Sequence, residues 1–259
     1  MGSYFVQELK RAFLSKKTII ACVISTTLFF FGMVEYILHI ATKEVSILYV
    51  FLQGYNSGTG SYLAVLFPIV AAIPYATSYI DDKRIGINKY ITMRMKRRNY
   101  LQIRFIVNGL VGGFALFIAP FTAMIFLLVM HYTTGADTIG RAGETLVAFT
   151  SLGITSVEMM MLTVCLLLFC CGFTIATLAL GLSTIIKNVY LTILTPFLFL
   201  LFSGIILINF SPKLYLMALY DIHNYFMPMS DRILYYAIVL FIVTSFYFIQ
   251  TTRASAYDE

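Results

Sequence analysis

The sequence predicts an all-α, polytopic membrane protein with six transmembrane helices. Of its 259 residues, 60% are hydrophobic and 12% are charged, whereas soluble domains carry about 25% charged residues. Six apolar runs also reach the length of about 20 residues that a helix needs to cross the hydrocarbon core. Together these two observations exclude an ordinary soluble protein.

The six predicted spans are separated by polar segments of very different length. They lie at 18–40, 61–80, 105–130, 159–186, 189–210 and 232–250. Only Lys187 and Asn188 separate the fourth span from the fifth, so we expect a tight helical hairpin there. Prolines within the spans remove backbone donors, which predicts kinked helices. These prolines are Pro68, Pro74, Pro120 and Pro196.

The positions of lysine and arginine predict the orientation of the spans. If the N-terminus is inside, four of these residues precede the first span and eight lie between the second and third, with one each in the fourth-to-fifth connection and the tail 251–259. These 14 of 18 basic residues would all face the cytoplasm, as the positive-inside rule requires. We therefore predict a multi-pass cell-membrane protein with both termini cytoplasmic. Orientation explains the net charge of +6, so nucleic acid is not an expected partner.

The N-terminal segment 1–17 is predicted to be an amphipathic helix that is too short to span the membrane. Phe5, Leu9 and Phe13 recur every four residues, with basic residues between and after them. A helix of this kind lies flat on an anionic membrane surface, with its apolar face toward the lipid. The alternative is a cytoplasmic extension of the first span.

The segment 81–104 is too highly charged to lie in lipid and is predicted to face the cytoplasm. Ile87, Tyr90 and Ile91 recur within it at helical spacing. This pattern is typical of a short helix that packs into a groove on another protein. The alternative is a solvated basic loop that contacts lipid headgroups.

The outer segment 211–231 is too apolar for a solvated loop. Leucine, tyrosine, methionine and phenylalanine dominate it, and Pro212 and Pro228 interrupt it. We interpret it as a re-entrant segment of short helices that dips into the outer leaflet or caps the bundle.

Glu35 and His39 are the best candidates for a polar site within the membrane region. They lie four residues apart near the outer end of the first span, so they share one face of the helix. Such a pair can bind a substrate head group, relay protons or hold a metal. Alternatively, both side chains simply reach the outer headgroups. A lone pair is a weak metal signal, and no metal site is predicted.

The sequence lacks the motifs of common catalytic sites. There is no G-x-x-x-x-G-K-[ST] loop to cradle nucleotide phosphates, no H-E-x-x-H and no nucleophile elbow. We therefore expect neither catalysis nor a cofactor in this chain. If ATP drives it, a partner must hydrolyse the nucleotide.

The order of these parts resembles that of the permease subunits of type-2 ATP-binding-cassette (ABC) exporters. The resemblance is most specific in an acidic-x-basic-x-Gly opening and a basic-x-x-Tyr ending before the third span. The residues concerned are Asp82, Arg84, Gly86, Arg97, Tyr100 and Arg104.

The resemblance implies that segment 81–104 contains a coupling helix, which docks on an ATPase subunit and passes on its nucleotide-driven motion. It also implies a dimer of permeases, identical or related, bound to two ATPase subunits that hold ATP and magnesium. The richness of the spans in Phe and Tyr suits a hydrophobic or amphiphilic substrate, such as a peptide, lipid or antibiotic. The implied coupling residues are Asp81, Asp82, Lys83, Arg84, Gly86, Ile87, Tyr90, Ile91, Arg97 and Tyr100.

Two other functions remain open from the residues alone. A secondary transporter would work without an ATPase, but it usually carries ionisable groups near the midplane, and the centres of these spans contain almost no charge. A polytopic membrane enzyme would use Glu35 and His39 as an incomplete active site.

Overall fold

The computed structural model describes residues 2–40, 45–56, 62–86, 95–138, 154, 156–186, 188–209 and 229–256. Within these residues all regular secondary structure is α-helical, which confirms the all-α part of the predicted fold class. The helices are α1 (Gly2–Phe13), α2 (Lys16–Ile40), α3 (Ile47–Asn56), α4 (Tyr62–Ala72), α5 (Ser78–Ile85), α6 (Arg97–Thr134), α7 (Val157–Leu182), α8 (Val189–Ile208) and α9 (Met229–Ala256).

Five of these helices are long and apolar enough to cross a membrane: α2, α6, α7, α8 and α9. This finding indicates a membrane protein. The longest, α6, has 38 residues, or about 57 Å at 1.5 Å per residue, which exceeds the hydrocarbon thickness of about 30 Å. It begins eight residues before the predicted third span, so Tyr100 and Arg104 belong to a spanning helix and not to a loop.

The predicted second span, 61–80, is not one continuous helix. Helix α4 ends at Ala72, residues 73–77 form turns, and α5 begins at Ser78. Pro74 lies in this break, where it lacks a backbone donor and its ring would clash with the preceding helical turn. Pro68, by contrast, lies inside α4. The prediction of one kinked span is therefore corrected to two helices joined by a break.

Helix α3 was not predicted from the sequence. Its first residue, Ile47, donates its N–H to the carbonyl of Asp137, just beyond the end of α6, at 3.0 Å. Farther along α3, Gly54 lies against the ring of Phe29 in α2. Helix α3 therefore runs back along α2 into the bundle, and α4 and α5 continue toward the start of α2.

Helices α6 and α7 form the centre of the bundle and approach each other closely. A Cβ atom at Gly112 would meet the methyl group of Ala176, and it would lie 2.9 Å from the carbonyl oxygen of Ala71 in α4. Small residues allow such close backbone contact between membrane helices. Three helices therefore meet around Gly112, and this packing positions the end of α4 and the break that follows it.

Several predictions concern residues outside the described part of the chain. They are residues 87–94 of the predicted coupling helix, residues 210–228 of the re-entrant segment and the last three residues of the tail. These remain predictions. In the described part, α7 ends at Leu182 and α8 begins at Val189, which leaves a short connection where the hairpin was predicted.

Candidate functional site

Six charged side chains meet where α1, α5 and the starts of α2 and α6 come together, which we call the α1 end of the bundle. We refer to them as the ionic cluster. Its members are Glu8, Arg11, Lys17, Asp81, Asp82 and Arg104.

Helix α1 reaches this position because its apolar face packs on protein. Ala12 is fully buried against Tyr75, Val107 and other apolar side chains. Phe5, Leu9 and Phe13, the residues whose spacing predicted an amphipathic helix, lie in the same apolar group. The apolar stripe was expected to face lipid, but the bundle covers part of it. An amphipathic stripe suits either surface, so spacing alone did not distinguish them.

Asp82 is the centre of the ionic cluster. It is 0% exposed, and its carboxylate accepts hydrogen bonds from Arg11 Nη2 at 3.0 Å and from Arg104 Nη2. Arg104 is also 0% exposed and donates to the carbonyl of Ser78 at 3.2 Å. Burying a charge is costly unless it is paired. Asp82 therefore links α5 to both α1 and α6.

Three tyrosine rings surround the Arg104 guanidinium. Its central carbon lies 4.9 Å from the ring centroid of Tyr100 and 6.0 Å from those of Tyr75 and Tyr79. A guanidinium is attracted to aromatic faces at such distances, most strongly when it is desolvated. The rings thus hold Arg104 in place and exclude water from its pair with Asp82.

Glu8 provides a second contact between α1 and the break after α4. Its carboxylate accepts a hydrogen bond from the Tyr75 hydroxyl, and Arg11 lies 3.6 Å away. Burial raises the pKa of Glu8 above its ordinary value of 4.5, although the nearby Arg11 and Arg104 act in the opposite direction. Burial, followed by the charge of Glu8, raises the pKa of Tyr4 to about 12. The protonation of Glu8 therefore depends on whether α1 is docked.

Lys17 ties the start of α2 to the same region. Its Nζ donates to Asp81 Oδ2 at 2.8 Å and to the Thr77 hydroxyl at 2.9 Å. Its side chain is 49% exposed, so solvent weakens this pair. Helix α5 is thus held by α1, α2 and α6, most firmly through Asp82.

The structure separates the predicted coupling residues into groups. Asp81 and Asp82 belong to the ionic cluster, and Tyr100 is one of the three tyrosines around Arg104. Arg84, by contrast, is exposed at the end of α5. Gly86 has φ of +77°, the left-handed conformation with which glycine often ends a helix. Arg97 is half-buried at the start of α6. The side chains of Lys83, Ile87, Tyr90 and Ile91 lie outside the described residues.

The burial of Asp82 and Tyr100 changes their expected role. Direct docking on a partner requires an accessible side chain, but Asp82 is 0% and Tyr100 2% exposed. Their polar and aromatic groups are used within the chain, so a direct contact with a partner does not fit their burial, and their role in coupling stays a prediction.

The predicted site residues did not include four members of the ionic cluster: Glu8, Arg11, Lys17 and Arg104. An arginine inside a spanning helix needs a buried acid, but Arg104 carried no such signal, because the third span was predicted to begin one residue after it, at 105. The partner of Arg104 lies 22 residues earlier, and a sequence alone does not identify it.

Glu35 and His39 lie far from the ionic cluster, near the other end of α2. Both side chains are exposed. The described residues contain no group of three or more His, Cys, Asp or Glu side chains that could hold a metal ion. The structure therefore brings no described third ligand to this pair.

The ionic cluster can hold four helices together, α1, α2, α5 and α6, and transmit a displacement of α5. Its described charges are engaged with one another rather than directed into a substrate cavity. Comparison with known proteins adds no relative: no family model matches the chain, and no curated protein or solved structure matches it.

Proposed function

We propose that this chain is the permease subunit of an ATP-driven ABC exporter. It moves a hydrophobic or amphiphilic substrate, with energy supplied by a separate ATPase subunit. One observation carries the proposal: Asp82, at the start of segment 81–104, accepts hydrogen bonds from Arg11 of α1 and Arg104 of α6. Separating buried partners is costly, so a displacement of the start of this segment would move both helices.

In this proposal the chain crosses the membrane six times. Helices α2, α6, α7, α8 and α9 supply five crossings. Helices α4 and α5 together supply the remaining crossing, which is the second in chain order. The α1 end is the cytoplasmic face, because it carries most of the lysine and arginine residues.

The partner contact in this proposal lies beyond the buried cluster. Arg84, exposed at the end of α5, and Ile87, Tyr90 and Ile91 meet the ATPase, while Asp82 and Tyr100 transmit its motion. Two copies, or this chain and a related one, bind two ATPase subunits that hold ATP and Mg²⁺. The substrate passes between the two permeases.

The location of the buried charges favours this function over a secondary transporter. Within the described part of the chain, the buried charged residues are Glu8, Asp82 and Arg104, and all belong to the ionic cluster at one end of the bundle. A secondary transporter typically places its ion and substrate groups near the midplane.

The testing experiment is co-purification of the full chain with the ATPase subunits encoded beside it, followed by measurement of complex formation and ATP hydrolysis. We expect a complex, and we expect Arg84→Glu to weaken it. Lys16→Glu is the matched control, because Lys16 is also an exposed cation at the α1 end. Failure to bind any of these ATPases would contradict the proposal.

Coupling is tested in the same complex with Asp82→Asn. We expect ATP hydrolysis to continue while substrate transport falls, because the link from α5 to α1 and α6 is weakened. Asp137→Asn, an exposed acid near the opposite end of α6, is the control. Unchanged transport in Asp82→Asn would exclude this route of coupling.

A further inference from the structure

A cleft lies between the end of α5 and the start of α8, at the α1 end of the bundle. Its volume is about 590 Å³, and the described residues that line it are Arg84, Asn188, Val189 and Tyr190. Pockets that bind ligands typically have volumes of about 300–1,000 Å³. Arg84 supplies one wall and the other three residues supply the second, so the cleft brings together two segments that are distant in the chain.

The second wall is held in place by hydrogen bonds at both ends of the connection between α7 and α8. Asn188 Oδ1 accepts from the backbone N–H of Tyr190 at 3.0 Å, and the carbonyl of Asn188 accepts from the N–H of Thr192 at 3.0 Å. Toward α7, the N–H of Ile186 donates to the carbonyl of Leu182 at 2.9 Å. A partner that binds here therefore loses little affinity to the ordering of this wall.

The cleft carries positive charge that nearby segments do not neutralise. Arg84 is exposed, and within the described residues it forms no ion pair or hydrogen bond. In the sequence, Lys187 directly precedes Asn188, and neither 83–136 nor 159–220 contains an acidic residue. The cleft is thus complementary to an acidic group on a partner.

Exposed apolar and aromatic side chains lie beside this charge. Tyr190 is 83% exposed, Ile85, next to Arg84 in the chain, is 69% exposed, and Ile185 in the connection before α8 is 53% exposed. Segment 81–104 is too charged for lipid, so Ile85 is not covered by acyl chains. Grouped apolar exposure marks interaction sites, and tyrosine and arginine are among the commonest anchors of protein interfaces.

We propose that this cleft receives a segment of the ATPase subunit that combines an acidic residue with apolar ones. The carboxylate pairs with Arg84, and the apolar groups pack against Val189 and the ring of Tyr190. This inference rests on the proposed function and adds a second contact to it, on α8. Since Asp82 ties α5 to α1 and α6, one partner segment in the cleft contacts both this group of helices and the α7–α8 hairpin.

The first test is photo-cross-linking in the complex of the full chain with the ATPase subunits encoded beside it. The photoreactive residue p-benzoylphenylalanine replaces Tyr190 in one variant and Ile85 in another. We expect both positions to cross-link to the same ATPase peptide, and mass spectrometry to find an acidic residue in that peptide. Tyr132, which is 80% exposed near the far end of α6, is the matched control and should give no cross-link to the ATPase.

The second test measures the affinity of the complex. We expect Tyr190→Ala to lower it at least about tenfold, as loss of an interface anchor does, whereas Tyr132→Ala should leave it unchanged. Because Arg84 and Tyr190 would contact one segment, the loss in the double variant Arg84→Glu, Tyr190→Ala should be smaller than the two single losses combined. Changing the acid of the cross-linked ATPase peptide to lysine should restore binding to Arg84→Glu. Wild-type unfolding temperatures show that the variants are folded.

An unchanged affinity in Tyr190→Ala would overturn the inference, as would cross-links from position 190 that reach only lipid or a second copy of this chain. Fully additive losses would also overturn it, because Arg84 and Tyr190 would then contact separate parts of the partner. In each of these cases the ATPase complex still forms, so the proposed function stands. Failure to bind any of these ATPases overturns both, and complex formation, measured before any cross-link, distinguishes the two results.

Discussion

Asp82 and Arg104 form an ion pair in which both side chains are almost completely buried, at 1% and 0% exposure. Arg11 completes the arrangement from a third helix, 3.0 Å from the same carboxylate. Two guanidinium groups therefore share one acid, and three separate segments of the chain depend on it.

Asp82→Asn is expected to destabilise the protein by about 3–5 kcal/mol, because removing one partner leaves a buried charge uncompensated. The measurement is thermal unfolding of the detergent-solubilised protein. Asp137→Asn should unfold at the wild-type temperature, because Asp137 is exposed. A wild-type unfolding temperature in Asp82→Asn would show that Arg104 finds another partner.

Lys17→Met is expected to cost less than about 1 kcal/mol, although its ion pair with Asp81 is short at 2.8 Å. Both side chains are partly exposed, at 49% and 36%, and exposed pairs contribute little. The same unfolding measurement compares this variant with Asp82→Asn. A loss as large as that of Asp82→Asn would contradict the view that burial, rather than distance, determines the contribution of each pair.

Glu8 is expected to make the docking of α1 dependent on pH. Because its folded pKa is raised above 4.5, its contribution to stability is fully present below pH 4.5 and is lost as pH rises through the folded pKa. Glu8→Gln should remove this loss. Unfolding temperatures between pH 4 and 8 check the prediction, and an unchanged pH profile in the variant would assign the dependence to another group.

Gly112→Ala is expected to destabilise the bundle by about 1–3 kcal/mol through overpacking. The added methyl group would meet Ala176, and it would lie 2.9 Å from the Ala71 carbonyl oxygen. In an ordinary helix the same change is favourable, by roughly 0.5–1 kcal/mol. Thermal unfolding therefore distinguishes the two cases by sign, and a stabilised variant would show that α6 and α7 can separate to accept the methyl group.

Much of the architecture could be predicted from the sequence because the bilayer imposes simple requirements. An apolar run of sufficient length must form a helix that satisfies its own backbone groups, and five such helices are present in the described residues. The break at 73–77 was harder to predict. Pro68 and Pro74 are both prolines in an apolar run, but Pro68 lies inside α4 whereas Pro74 lies in the break, and the difference depends on neighbouring helices.

The sequence by itself determined that the chain is a helical membrane protein, that α1 is amphipathic and that segment 81–104 is too charged for lipid. Only the tertiary structure decided that Asp82 lies buried between Arg11 and Arg104, 71 and 22 residues away along the chain. Apolar periodicity is a local property that each segment carries alone. The pairing of buried charges depends on which helices pack together, here α5 with α1 and α6.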